Sequence, residues 1–333
     1  MYNRPSNDNI AATQFNLVDD STAPTTTFSP ANSATAVAVA SDITLTFNEA
    51  VRLINNSALD NTNVDALITL KEDNASGADI AFDATINAAK TIITIDPTIN
   101  LSSTQVVYVA IGATVEDASN NAISAANTSF TSADVSAPTM TITAAEVSDG
   151  DTSNDSTLAM TFTSSEATAD FDVTDINTSG TGTLSPLVST SSTVYTATFT
   201  PSAQGATTID VAAGAFTDSF SNNNTAATQF NWTYDTTSPT LSSSNPADGK
   251  TGIAINTNIV LTFSEAVDVE SGNIVIKKTS DNSTVETIAV TSSFVTGTGT
   301  NVITINPSIT LEGLTGYYLT IAATAFANHS GNS

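Results

Sequence analysis

The chain repeats itself. LTFNEAV at 45–51 returns as LTFSEAV at 261–267, and ITIDPTINL at 93–101 returns as ITINPSITL at 303–311, so two segments carry the same two motifs in the same order. Repetition of this kind means tandem copies of one structural unit rather than one large core. Between the copies lies a diverged unit with MTFTSSEA at 160–167 and YTATFTPSAQG at 195–205, a second subtype that alternates with the first. The length of 333 residues fits two to four units at roughly 100–200 residues each. Three D-x-x-x-P-T sequences, beginning at Asp20, Asp134 and Asp235, precede the first strand of each unit. The expected domains therefore run 21–134, 135–235 and 236–333. Residues 1–20 read as the last strand of a preceding repeat, because AATQFN at 11–16 reappears at 226–231 near the end of the middle unit. The third domain is expected to reach Ser333 before any counterpart of the first domain's final strand, read at 129–133.

Hydrophobic periodicity gives the class. Ile43, Leu45 and Phe47 share a face, as do Tyr195, Ala197 and Phe199, and Phe230, Trp232 and Tyr234. This alternation is the mark of half-buried strands. No segment of helical length sustains a 3.6-residue apolar pattern, and Gly, Asn, Asp, Ser and Pro clusters break the chain at short intervals. The expectation is all-β, in sandwiches or barrels. The proline at each junction fixes φ and lacks a ladder donor, which stiffens the connection and favours an extended rod on the order of 100 Å long, from strands rising about 3.3 Å per residue.

Composition narrows the function. Thirty-three Asp and Glu face seven Lys and Arg, for a formal charge of −26. Such a chain repels nucleic acid and anionic membrane, since binding to either depends on cationic contacts to phosphate. No cysteine is present, which removes disulfides, thiolate metal sites and Cys nucleophiles. His329 is the one histidine, so clustered-His zinc sites are out of reach and a His-based triad would have to use this residue, read as part of a loop. Acids recurring once per repeat at equivalent places speak for structure rather than for a glycosidase pair across one cleft. No catalytic or cofactor-binding residue is assigned. No stretch approaches the length of a membrane span, and an export signal is expected outside these 333 residues.

PADG at 246–249, LTFSEAV, ITINPSITL and GYYLTIAATAF at 316–326 together resemble the bacterial Ig-like domain first recognised in S-layer proteins, over domains one and three. The middle domain is similar to another bacterial Ig-like family common in large repetitive surface proteins. The resemblance implies tandem immunoglobulin-like Greek-key β-sandwiches of about seven strands, exposure at the cell surface or outside the cell, and a role in adhesion, stalk extension or surface-layer assembly.

In an Ig-like sandwich the opening segment, the loop after the second strand and the loop before the last strand lie at one end. Those places hold Asp20, Glu49, and Asp117 with Asn120 in domain one; Asp134, Glu166, and Asp218 with Asn222 in domain two; and Asp235, Glu265 and Asn328 in domain three. Carboxylates about 5 Å apart repel by roughly 3 kcal/mol at an effective dielectric of 20, a penalty that a cation removes. Ca2+ is the candidate ion, since it takes oxygen ligands from carboxylates, amides and carbonyls. The alternative for each residue is a turn cap in solvent. Trp232 is assigned to the core rather than to a sugar-stacking surface, because it is in phase with Phe230 and Tyr234.

The sequence thus describes a non-enzymatic stalk segment whose partners are neighbouring repeats of a long protein and a host-surface or matrix protein or glycan. Two other readings remain open: a fibre subunit joined head to tail by strand donation, and accessory domains of a secreted polysaccharide-acting enzyme.

Overall fold

The computed structural model describes residues 19–333 and divides into two compact bodies, Met1–Ser136 and Ala137–Ser333. The strand expected over residues 1–20 lies, as far as residue 18, outside the described residues. Apart from two three-residue 3-10 turns, Asp65–Leu67 and Val173–Asp175, the regular structure is β.

The first body has strands β1 (Thr26–Ser29), β2 (Ile43–Phe47), β3 (Arg52–Leu53), β4 (Ile68–Glu72) and β5 (Phe82–Ile86). It continues with β6 (Ile92–Pro97), β7 (Val106–Ile111), β8 (Val115–Glu116) and β9 (Ala126–Thr131). One sheet runs β1-β2-β6-β5 and the other β4-β7-β9, with β3 paired to β8. Four strands against three, in this order, is the constant-type immunoglobulin arrangement. Leu45 stands opposite Phe28 on one side and Ile93 on the other. Ile43, Leu45, Ile93, Ile95, Val107 and Val109 are fully buried between the sheets.

The second body holds two sandwiches with separate cores. Its first comprises β10 (Met140–Ala144), β11 (Thr152–Ser153), β12 (Leu158–Ser164), β13 (Ile176–Asn177) and β14 (Gly182–Leu184). The rest are β15 (Val188–Ser189), β16 (Val194–Pro201), β17 (Gly205–Val211) and β18 (Phe230–Tyr234). Sheet β10-β12-β16-β14, with β15 also on β16, faces β11-β18-β17-β13. Trp232 is 1% exposed, its indole N–H donates to Ser153 Oγ at 3.0 Å, and Phe199 meets it edge-on with centroids 6.3 Å apart. Burying the ring while pairing its one donor is the favourable solution for an interior tryptophan.

The last sandwich contains β19 (Leu241–Asn245), β20 (Ile259–Val269), β21 (Asn273–Lys278) and β22 (Thr284–Ala289). It is completed by β23 (Val295–Thr296), β24 (Thr300–Ile305), β25 (Tyr317–Ile321) and β26 (Phe326–Ala327). Its sheets are β19-β20-β24-β23, with β26 on β20, and β22-β21-β25. In the first sandwich β9 covers the outer edge of β7, and Ile111 is 2% exposed. Among the described residues no strand pairs with the outer edge of β25, and Ile321, which pairs with Ile274 as Ile111 pairs with Ile68, is 37% exposed.

Truncating a fully buried aromatic removes both its transfer energy and its packing. Phe199→Ala is expected to lower the stability of the middle sandwich by about 3–5 kcal/mol. Trp232 emission in a denaturant titration reports it as a shift to lower midpoint.

Candidate metal centre at the start of each repeat

Each repeat opens on an aspartate that turns the chain. Asp20 Oδ1 accepts from the Thr22 N–H at 3.0 Å, Asp134 from Ser136 at 3.0 Å and Asp235 from Thr237 at 2.9 Å. These are local Asx turns. The threonine after each junction proline is then stitched to the far end of the second strand. The backbone N–H groups of Thr25, Thr139 and Thr240 donate to Asn48 Oδ1, Ser165 Oγ and Ser264 Oγ at 2.7, 2.9 and 3.0 Å. Each of those acceptors immediately precedes Glu49, Glu166 or Glu265, so the stitch sets a glutamate beside the opening segment. Glu49 and Glu166 follow strands, whereas Glu265 lies inside β20, which runs on with a register shift between Thr262 and Val267.

The third element is a five-residue loop built the same way three times, on Asp117, Asp218 and Asn328. In each, the N–H of the first residue donates to the carbonyl of the fifth at 3.1, 3.1 and 2.8 Å. The N–H of the fifth, Asn121, Asn222 or Asn332, returns a bond to the first side chain's Oδ1 at 2.9 Å in every copy. The fourth residue has positive φ, at 69° for Asn120 and Ser221 and 85° for Gly331. Asp117, Asp218 and Asn328 are all buried.

At the start of the first repeat these elements bring one carboxylate oxygen each from Asp20, Glu49 and Asp117 within 4.8 Å of one another. The backbone N–H of Asn121, ahead of burial acting the other way, and then the Asn121 amide and the Ser119 N–H hold the Asp117 carboxyl below the usual aspartate range. In the second repeat burial pushes Asp218 up. Bonds from the Asn222 side chain and backbone and from the Phe220 N–H outweigh it, with a smaller share from a hydrogen bond shared with the Glu166 carboxyl, and the net shift is downward. Asp134 lies in the first body, where its Oδ1 accepts from Ser103 Oγ at 2.7 Å. In the third repeat the Asn328 amide donates to Asp235 Oδ2, Glu265 Oε2 and the Thr237 carbonyl at 3.3, 3.1 and 2.9 Å.

Asn120 does not face the carboxylates of its repeat. Its Oδ1 accepts from Arg52 Nη2 at 3.0 Å, and it is Asn121 that donates to Asp117 Oδ2 at 2.8 Å and to the Asp20 carbonyl at 2.9 Å. The residue equivalent to Asn222 is therefore Asn121. Arg52, which the sequence reading did not single out, braces the loop from behind by donating to Glu116 at 3.2 Å and to the Ala118 carbonyl at 3.3 Å. Its place directly after the LTFNEAV motif was the available signal. Carboxylate oxygens gathered in this way are ligands for hard cations. His329 is exposed beside Asn328.

A carboxyl with depressed folded pKa contributes stability above the ordinary value of about 3.9 and loses it as pH falls through the folded value. The doubly substituted Asp117→Asn, Asp218→Asn protein is accordingly expected to lose less melting temperature than the wild type on acidification from about pH 5 to below about pH 3.9 in chelator, by calorimetry.

Comparison with known proteins matches the chain to a family. A bacterial Ig-like domain matches residues 20–132 and 235–333, and a second bacterial Ig-like domain matches 134–234. No curated protein sequence matches. Among solved structures, titin domains I67–I69 align at 9% identity and a TM-score of 0.31, covering 90% of this chain and 96% of theirs. InvD of Yersinia pseudotuberculosis aligns at 14% and 0.30, covering 93% and 89%, and the surface layer protein SbsC, domains 1–6, at 11% and 0.24, covering 89% and 52%. Matched along nearly its whole length by two alternating subtypes, this chain belongs to the bacterial Ig-like domain family.

Proposed function

We propose that the chain is a non-enzymatic stalk segment of a bacterial cell-surface or secreted protein, carrying an adhesive part away from its anchor, and that Ca2+ stiffens the repeat starts whose loop presents a carboxylate. Ig-like domains are typically non-catalytic, and among the described residues no helix is long and apolar enough to cross a membrane. The observation that carries the reading is the convergence of Asp20, Glu49 and Asp117 on one point, with oxygens within 4.8 Å. Three like charges so close repel, and a divalent cation reverses the sign of the interaction. In the second repeat Glu166 and Asp218 supply the equivalent carboxylates, and Asp134 is the sequence counterpart of Asp20. The first set draws on the opening segment, so an ion bound there ties that repeat to the chain leading into it. A stalk needs little else from specific side chains. The acidic, thiol-free surface keeps it solvated, and its partners are the neighbouring repeats together with a host-surface or matrix protein or glycan.

Calorimetry in millimolar Ca2+ and then in excess chelator tests this. Extracellular modules bind Ca2+ at about 10⁻⁴–10⁻³ M, so millimolar Ca2+ is expected to raise the melting temperature by about 2–10 °C and Asp117→Ala to remove part of the gain. Small-angle scattering is expected to give a longer particle in Ca2+. Superimposable melts and profiles in the two buffers would discard the ion and leave a spacer stiffened by proline alone.

A further inference from the structure

We infer that the third repeat closes its start without a metal, the Asn328 amide standing where its sister repeats would place a cation, so that Asp or Asn at this one loop position decides whether a junction depends on calcium. The inference rests on the calcium reading for the contrast, and on the bonding of Asn328 for the rest.

The identical loops fix how the amide points. Asn328 Oδ1 is engaged by the Asn332 N–H at 2.9 Å, the bond that Asp117 Oδ1 and Asp218 Oδ1 receive from Asn121 and Asn222. Nδ2 must then face inward, and it meets Asp235 Oδ2, Glu265 Oε2 and the Thr237 carbonyl. A carboxylate and a carbonyl from the opening segment and a carboxylate from the second strand form the oxygen shell that a cation would use. Here a neutral donor fills its centre. With N–H groups pointing at the ligand oxygens, an incoming ion meets the positive end of the amide dipole and no vacancy. Calcium also needs oxygens at about 2.3–2.6 Å, closer than these bonds allow.

Further direct bonds complete the closure. Ser330 Oγ donates to Asp235 Oδ2 at 2.9 Å, and Asn332 Nδ2 donates to the Asp235 carbonyl at 2.8 Å just as Asn121 Nδ2 does to the Asp20 carbonyl in the first repeat. The middle repeat reaches in as well: the Asn154 N–H donates to the Ser330 carbonyl at 3.0 Å and its amide to Asn332 Oδ1 at 3.2 Å. The Asp235 N–H donates to the Ser153 carbonyl at 3.0 Å. This junction is tied through protein groups on both sides. The expectation that Asp235 and Glu265 hold Ca2+ gives way to their accepting from Asn328.

Hydrogen exchange by mass spectrometry on the full chain tests it, with wild type, Asn328→Asp and Asp117→Asn each in millimolar Ca2+ and in chelator. Wild-type peptides over 235–240 and 326–333 are expected to exchange at the same rate in both buffers. In Asn328→Asp they should exchange about tenfold faster in chelator and recover in Ca2+. Calcium-dependent protection of 326–333 in the wild type would overturn the inference, as would an Asn328→Asp protein indifferent to the ion. Should Asn328→Asp fail to fold in either buffer, the wild-type comparison and Asp117→Asn decide: the latter must remove any calcium response from 115–123, and a retained response overturns the inference. Peptides 115–123 of the wild type separately judge the calcium reading, which fails if they show no response.

Discussion

Everything in this chain depends on burying one alternating row of side chains per strand. With no cysteine and, among the described residues, ion pairs only at Arg52–Glu116, Lys71–Asp79 and Lys278–Glu312, cohesion comes from three separate apolar cores. Ile43, Leu45 and Phe47 point inward while Thr44 and Thr46 face outward, and the same holds along Leu158, Met160 and Phe162. The inward row is constrained by volume and the outward row scarcely at all. A surface free of packing demands can be acidic, polar and poor in Lys and Arg without loss of fold.

That division of labour places the specific chemistry at the ends of the sandwiches. An Asx turn, a backbone-to-side-chain stitch and a five-residue loop recur with equivalent bonds, which makes the start of a repeat as much a structural unit as its core. Asp117, Asp218 and Asn328 are buried with Oδ1 hydrogen-bonded by backbone N–H groups of the loop, two on each aspartate and one on Asn328. What remains, one inward-facing oxygen or nitrogen, sets the character of the junction. A carboxylate there presents a negatively charged acceptor and an amide a neutral donor, on loops that make the same backbone bonds.

Much of the fold was legible in advance. Period-two runs located β2, β16 and β18, and the phase of Trp232 with Phe230 put the indole in the core, where it is found. The acids named for the repeat starts were chosen from their recurrence together with the loop order of an Ig-like sandwich. Asn120 faces Arg52 instead of the carboxylates, and the spacing of four residues that Asp117–Asn121 shares with Asp218–Asn222 was the sequence signal for Asn121. Arg52 was missed because its contacts with Glu116 and Ala118 span more than sixty residues and arise only when β3 pairs with β8. The continuation of β20 through Glu265 also escaped notice, since SEAV and NEAV read alike.

The sequence by itself determined the strand class, the repeat subtypes and the residues available as oxygen ligands, because alternation, motif order and residue chemistry are local properties. Only the tertiary structure decided which of those oxygens meet. Asp20, Glu49 and Asp117 are far apart in the chain and converge through the closure of two sheets. Whether a side chain at that point offers an acceptor, as Asp117 does, or a donor, as Asn328 does, is written in one letter. The letter acquires meaning only once the loop has fixed which atom faces inward.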